Sequence, residues 1–569
     1  MASEYQVKGK NSSAPFTLRV HRGDGMALLA MNWRHGQPPP EFVGFAIEFQ
    51  EPGSTTWKAV RNRLTFPGVD LKADPAAARS TRSPIQKFRW VHFPFHADAP
   101  GQFTYRVTPM FFDGQFPLRK GSAQTAKIEL ARDTYPGQMN VTFTRGFVSS
   151  QAFVDEFAED GDTTTLLPAK AADGLKFQPT NPKAPQALAW MGFEARSAII
   201  ELLEAAVAAP QATVSVVAYD LSEPEVVDRL VQLGSRLRII IDNSADHGDT
   251  GSGESQAATK LRKSAGAANV KRQHMGQLQH NKTIIVDGPG VQQVVCGSTN
   301  FSWRGFYVQN NNAVVLTGAD AIAPFQAAFE QYWRSSQAAA FGASAAAEWV
   351  SLGLADVDAQ VAFSPHSAAN SVLAGIATDV DSTESSLFYS LAFLSQTGGP
   401  IRTSITKAHA RNDIFVFGMA DKKVGGIELA TPDGNLAPVS PAALTGKVPE
   451  PFKSEPSCGG GIHLHHKFVV IDFDQPTARV YLGSYNFSGP ADNANGENLL
   501  LIRDRKVAVS YMVEAVRIFD HYQFRLKQKD AKSAKQSLQL ALPPAAGAEA
   551  WWQRDWDEPH RVRDRLLFA

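Results

Sequence analysis

Two stretches of this 569-residue chain carry the same reactive residues in the same order. The first reads His280-Asn281-Lys282, then the apolar run Thr283-Ile284-Ile285-Val286, then Asp287, with Gly297-Ser298-Thr299-Asn300-Phe301-Ser302 soon after. The second reads His465-His466-Lys467, then Phe468-Val469-Val470-Ile471, then Asp472, followed by Gly483-Ser484-Tyr485-Asn486-Phe487-Ser488. A lone His-x-Lys carries little meaning; two full copies, each with its Gly-Ser-x-Asn-Phe-Ser turn, mark a repeated chemical device. The apolar runs read as buried strands, along which residues i and i+2 share a face. Each His and Lys therefore projects from one strand end, and Ser298 with Asn300, like Ser484 with Asn486, is spaced the same way. Each half offers an imidazole, an ammonium, a hydroxyl and an amide.

Facing each other about a pseudo-twofold axis, two such sets suit one tetrahedral phosphate. The ammonium, hydroxyl and amide donors stabilise charge gathering on its oxygens. The imidazoles divide the chemistry. One attacks phosphorus to form a phosphohistidine; the other protonates the leaving alcohol and then deprotonates the incoming water or alcohol, since imidazole titrates near neutrality. The lysines supply the positive charge, so no metal and no cofactor is expected.

This pattern resembles the phospholipase D superfamily, whose signature is His-x-Lys-x4-Asp followed by Gly-Ser-x-x-Asn or a close variant; the likeness covers roughly residues 186–530. The resemblance implies a two-lobed α/β body with one site between the lobes, His280 as nucleophile, His465 as acid/base, and Asp287 and Asp472 as supporting residues rather than proton carriers. It also implies an acidic residue downstream of the Asn that orients the histidine. Glu497, 32 residues after His465, fits that place. The position 32 residues after His280 is Asn312, whose amide oxygen would accept the imidazole N–H in place of a carboxylate, stabilising an imidazolium less. His274, His463 and His466 read as structural or surface residues. A metal site in Ile462-His463-Leu464-His465-His466 is set aside, because no partner set of Cys or carboxylates lies at ligand spacing nearby.

The elements that must position these residues alternate between helix and strand. SAIIELLEAAVAA, TVSVVAYDL, PEVVDRLVQLG and LRIIID precede the first motif; NSVLAGIATDV, SLFYSLAFL, IRTSITKAHAR and IFVFGMA precede the second. Such alternation predicts α/β layers, and its recurrence predicts a duplication, with lobes over 186–345 and 346–535. Residues 421–462, rich in Gly and Pro, read as a wall or lid of the cleft. Residues 1–135 read as an all-β sandwich of immunoglobulin or fibronectin type, from FVGFAIEFQ, FRWVHFPFH and FTYRVTPMF between turn-forming segments; Tyr105 suits its tyrosine corner. Residues 136–185 read as a connector, and the Trp- and Arg-rich 536–569 as a tail packed on the body.

Hydrophobic residues make up 43% and charged residues 20% of the chain, a globular profile that excludes a disordered chain. Only Cys296 and Cys458 occur, excluding a disulfide framework and favouring two buried thiols. No apolar run spans a bilayer and the first residues lack a secretory core, so the cytoplasm is expected, with signal-independent export left open. The net charge is +0, but residues 1–135 hold 18 Lys and Arg against 11 Asp and Glu, and the remainder 38 against 45. A mildly acidic catalytic part disfavours a long polyanion, while a basic sandwich suits peripheral contact with an anionic membrane. The expected substrate is therefore a phospholipid, hydrolysed or transferred to an alcohol. The alternative is a nuclease of the same superfamily that cleaves DNA or RNA phosphodiesters; another phosphodiester substrate is left open.

Overall fold

A computed structural model describes residues 4–130, 133–158, 162–170, 173–395, 398–422, 426–440, 452 and 464–569. The chain divides into two compact units: Met1–Arg132 with Val509–Asp520 and Leu526–Ala569, and Asp133–Ala508 with His521–Arg525.

The first unit contains two antiparallel sheets. One runs in the order Gln6–Lys8, Phe16–Arg22, Ala27–Trp33, Arg89–His92; the other Lys58–Ala59, Phe42–Gln50, Gln102–Phe111, Arg119–Lys120, with Gln124–Glu129 also paired to Gln102–Phe111. Alternation in Phe16–Arg22 buries Phe16, Leu18 and Val20, and these join Phe42, Phe45, Phe103 and Tyr105 from the other sheet in one core. Tyr105 makes no tyrosine corner: its hydroxyl meets His92 Nδ1 at 3.0 Å, a side chain rather than upstream backbone. The C-terminal segment also differs from expectation. Ala550 and Trp552 belong to this same core, Trp551 stacks on Phe88, and Arg89 binds Asp564 at 2.7 Å and Asp520 at 2.6 Å. Its tryptophans thus add apolar area to a unit that needs it.

The second unit is mixed α/β. Its first sheet has the order Met139–Phe143, Asn312–Thr317, Val291–Gly297, Lys282–Gly288, Thr213–Ala218, Leu237–Ile241, Val270–Arg272. The second has the order Val350–Ser351, Asp358–Ser364, Glu497–Arg503, Arg479–Gly483, Lys467–Ile471, Ser386–Leu391, Phe415–Asp421, Ile427–Ala430, Leu436–Val439. In each, the motif strand lies centrally, antiparallel to both neighbours; the next pair outward is parallel on one side and antiparallel on the other. Helices Ala184–Ala208, Pro224–Leu233 and Ala319–Arg334 accompany the first sheet and Leu373–Asp381 and Pro400–His409 the second. Their apolar faces are buried, as with Ile376, Ile401 and Ile405 packing with Leu387, Val469 and Leu499.

Part of the expected connector is sheet. Met139–Phe143 pairs with Asn312–Thr317, its apolar alternation being only five residues long and flanked by turn signals. Of the expected lid over 421–462, the described part includes the hairpin Ile427–Ala430 and Leu436–Val439; most of the rest, with Cys458 and His463, lies outside the described residues. Cys296 is buried, which pushes its thiol pKa up. No helix of the described residues is long and apolar enough to cross a membrane.

Candidate active site

Lys282 and Lys467 open their strands, with His280 and His465 two residues earlier, where the chain leaves the sheet. At that edge the halves exchange backbone. His465 N–H donates to Asn310 O at 3.1 Å, and Gly496 N–H donates to Leu278 O at 2.9 Å; Asn310 bridges Leu464 and Gln279 bridges Gly496, both in parallel sense. The strand end following one motif is thereby laid beside the strand start of the other. The Gly-Ser turns seat these strand ends. Gly297 has φ +133°, and a Cβ there would lie 2.7 Å from Asn312 O; Gly483, at φ +145°, lies still closer to Asn498 O.

The two motif imidazoles face each other with ring centroids 6.1 Å apart. His280 Nδ1 donates to Glu497 Oε2 at 2.7 Å. His465 Nδ1 donates to Asn311 Oδ1 at 2.8 Å and to Ser298 O at 3.0 Å. All three partners are acceptors, so each ring keeps its proton on Nδ1 and presents Nε2 as the reactive atom. This corrects the orienting residues expected from sequence: Glu497 serves His280 rather than its own half's His465, and Asn312 meets neither ring. Asn312 instead binds Ser298, its Oδ1 accepting Ser298 N–H at 3.1 Å. The slip has a simple cause. The first half has one residue fewer between His and the Gly-Ser turn, so counting from His lands one residue late. Counted from the serine, Asn311 and Glu497 are both 13 residues on.

Both ammonium groups are buried. Lys467 Nζ donates to His465 O at 2.7 Å, and Lys282 Nζ donates to His280 O, leaving two N–H donors on each for substrate. Lys282 also sits 4.8 Å from the Tyr219 ring centroid. Burial lowers the Lys282 pKa to about 8 although Glu497, Asp220 and Asp242 oppose it. Burial, then the nearby Lys282 charge, takes Lys467 well below its ordinary value. Burial also lowers His280, with Glu497 opposing and Lys282 assisting. His465 falls well below the usual imidazole value through burial, then Lys467, Lys282 and His280.

The serines do not aim at the cleft as expected. Ser298 Oγ donates to Asn311 Oδ1 at 3.0 Å and accepts from Asn312 N at 3.0 Å, and Ser484 Oγ accepts from Asn498 N at 3.0 Å. Hydroxyls buried beside strand ends are taken up by open backbone groups. Asn300 Nδ2 donates to Asp220 Oδ2 at 2.8 Å, whereas Asn300 Oδ1 and Asn486 Oδ1 are buried with no hydrogen-bond partner among the described residues. The motif aspartates lie at the far strand ends. Asp287, four residues beyond Thr283, accepts from Gln292 and Gln326. Asp472 accepts the backbone N–H groups of Glu384, Ser385 and Ser386 at 3.0, 2.7 and 3.2 Å. Neither hydrogen-bonds an imidazole.

Four acidic or basic groups near the site were missed from sequence. Asp242 Oδ1 accepts the N–H of Gln279, just before His280, at 2.7 Å; Asp421 Oδ2 accepts that of Leu464, just before His465, at 3.4 Å. Asp220 and His247 join the first of these. The available signal was position: Asp220 in AYD and Asp242 in IID follow the carboxyl ends of adjacent parallel strands, where α/β sheets place ligand sites. Asp220, His247 and Glu254 bring one potential ligand atom each within 4.8 Å of one another. As donors they do not suit an ion: His247 spends both ring nitrogens on Asp220 and Asp242, at 3.1 and 2.9 Å, and Glu254 Oε1 accepts Leu221 N–H at 3.0 Å.

The family described as "Cardiolipin synthase, PLD-like domain" matches residues 199–333. Phospholipase D of Rickettsia prowazekii is 46% identical over 48 residues, 8% of this chain and 22% of that protein. Residues 199–333 therefore match a phospholipase D-like domain, and the first of the two motifs lies within them. The chain's match to the phospholipase D of Rickettsia felis is 42% over the same length, so the chain spans about a fifth of the curated relatives it matches. Among solved structures, phosphatidylserine synthase of Haemophilus influenzae aligns with a TM-score of 0.42 and 13% identity, over 68% of this chain and 98% of that one. A phospholipase D family member from Salmonella typhimurium aligns at 0.20 with 25% identity, over 24% and 86%.

Proposed function

We propose that the chain is a phosphodiesterase of phospholipase D type that hydrolyses phospholipid head groups, or transfers the phosphatidyl group to an alcohol, through a phosphohistidine. The observation that carries this is the pair of opposed imidazoles, each with Nδ1 held and Nε2 free, flanked by two buried ammonium groups. His280 is the nucleophile, because the Glu497 carboxylate at its Nδ1 stabilises the positive ring formed when Nε2 bonds to phosphorus. As that bond forms, the bond from phosphorus to the head-group oxygen breaks, and His465 Nε2 supplies the proton to the leaving alcohol. Burial, then Lys467 and Lys282, otherwise hold His465 deprotonated; the arriving phosphodiester charge offsets the two lysines, so substrate binding itself favours the acid form. Water then attacks phosphorus, His465 takes its proton, and the phosphorus–nitrogen bond to His280 breaks. Lys282, Lys467, Asn300 and Asn486 bind the phosphoryl oxygens; Ser298, Ser484, Asp287 and Asp472 hold the strands that carry them.

The matching sheet orders and the exchanged strand ends support reading 186–345 and 346–535 as duplicated lobes, to which Met139–Phe143 adds an edge strand. The N-terminal pair of sheets, of immunoglobulin or fibronectin type, is an accessory domain over 1–135 whose basic surface approaches anionic lipid. The acidic balance of the catalytic part favours lipid over nucleic acid.

The test is a side-by-side assay of purified protein on phosphatidylcholine/phosphatidylglycerol vesicles and on single-stranded and duplex DNA, with His465→Ala as control. Head group and phosphatidate released only by the wild type are expected. Cleaved DNA beside intact lipid would make the chain a nuclease; turnover of neither would remove the catalytic reading.

A further inference from the structure

We propose that His247, which lies outside both motifs, is a positioning residue for the reaction centre, clamped between Asp220 and Asp242 so that the Asn300 amide and the backbone entering His280 are held as one assembly. His247 Nε2 lies 3.1 Å from Asp220 Oδ1 and Nδ1 lies 2.9 Å from Asp242 Oδ2. The other oxygen of each carboxylate points onward into the site. Asp220 Oδ2 accepts from Asn300 Nδ2 at 2.8 Å and from Ser302 Oγ at 3.4 Å. Asp242 Oδ1 accepts from Gln279 N at 2.7 Å, one residue before His280. One imidazole therefore joins the donor amide to the strand entrance that carries the nucleophile.

The Tyr219 ring completes the assembly, with its centroid 4.4 Å from that of His247 and 4.6 Å from that of His280. His247 is itself held by a short turn, Ala245–Gly248. Arg272 Nη2 donates to its carbonyl oxygen, and Ser252 Oγ donates to the same oxygen at 2.9 Å.

Among the described residues the clamp occurs in one half. Asp421 occupies in the second half the place of Asp242, accepting the N–H before His465, but the residues in register with Tyr219 and Asp220 are Ala392 and Phe393. Among the described residues, a ring at the Tyr219 place and a carboxylate at the Asp220 place are thus found beside His280 and not at the matching positions beside His465. With both nitrogens facing carboxylates, the ring is doubly donating. Fixing the orientation of a donor amide matters because an amide displaced by an ångström loses its hold on the developing phosphoryl charge.

The inference rests on the phosphodiesterase reading, and its test separates the two. Hydrolysis of bis(p-nitrophenyl) phosphate is measured for the wild type, His247→Gln, Asp220→Asn and the double variant, with melting temperature as the fold check. Turnover by the wild type is the condition of the catalytic reading alone. His247→Gln is then expected to lower kcat/KM by about 10–100-fold, the cost typical of losing a partner that orients an active-site group. The double variant is expected to be no worse than the more impaired single one, because both break the same link. Imidazole added to His247→Ala is expected to restore part of kcat, which a general loss of folding would not allow. Multiplicative losses in the double variant, or wild-type kcat/KM in His247→Gln, would overturn the role. Should His247→Gln fail to fold, Asp220→Asn alone decides: unchanged kcat/KM there would overturn it as well.

Discussion

Glu497 and His280 stand 217 positions apart, yet the carboxylate accepts the imidazole Nδ1–H at 2.7 Å, both side chains being buried. Its counterpart, Asn311 on His465, crosses in the opposite direction. A full charge supports one ring and a neutral amide the other, which separates the roles of two otherwise similar histidines.

Replacing that charge should therefore impair formation of the covalent intermediate. Glu497→Gln is expected to lower kcat by about 10–100-fold and to reduce the acid-labile, alkali-stable label on His280 in rapid-quench experiments with radiolabelled substrate. Unchanged burst amplitude and rate would transfer the nucleophile role to His465.

Asn311→Asp makes the opposite change. A carboxylate at His465 Nδ1 favours the imidazolium, so the proton that His465 donates is retained to higher pH. The alkaline limb of the kcat profile should move upward, the acid limb staying with His280. A profile that superimposes on wild type would separate His465 from leaving-group protonation.

Lys282, lowered by burial to about 8, loses its proton as pH rises through that value. Its charge on the phosphoryl group is present below it and lost above it, so KM should increase between about pH 7.5 and 9. Lys282→Arg, permanently charged, should flatten this rise while lowering kcat, because a planar guanidinium cannot reproduce the ammonium's placement. A KM rise of the same size in the variant would point to another group.

The two motif aspartates should differ in stability rather than chemistry. Asp472 accepts three backbone N–H groups and has φ +54°; its change to Ala should cost about 3 kcal/mol, combining stranded donors with a strained backbone. Asp287 binds two glutamine side chains at a partly exposed strand end, so Asp287→Ala should stay within about 1 kcal/mol. Urea denaturation compares them directly.

Much of this site is legible in the sequence, because strand period and motif spacing are local. Lys282 and Lys467 open strands whose apolar runs announce them, and the Gly of each Gly-Ser turn signals close backbone approach. What is not legible depends on which chain segments meet. Nothing near Glu497 says that it will reach the other half, and the one-residue difference between halves hides Asn311 behind Asn312. His247 lies in NSADHGDTGSGES, which reads as a polar loop until the fold brings it between two carboxylates. Met139–Phe143 was hidden for another reason: five alternating residues carry too short a period to outweigh the Pro and Gly before them.

The crossed partnership also bears on heredity. Were the coding sequence cut after residue 345, each product would carry a histidine whose partner had been left on the other, and only reassociation could return activity. Substitutions in the sheets can accumulate independently in either segment. A change at residue 311 or 497 is instead felt by the histidine of the other motif, so neither segment can change at those strand ends without altering the other's proton affinity.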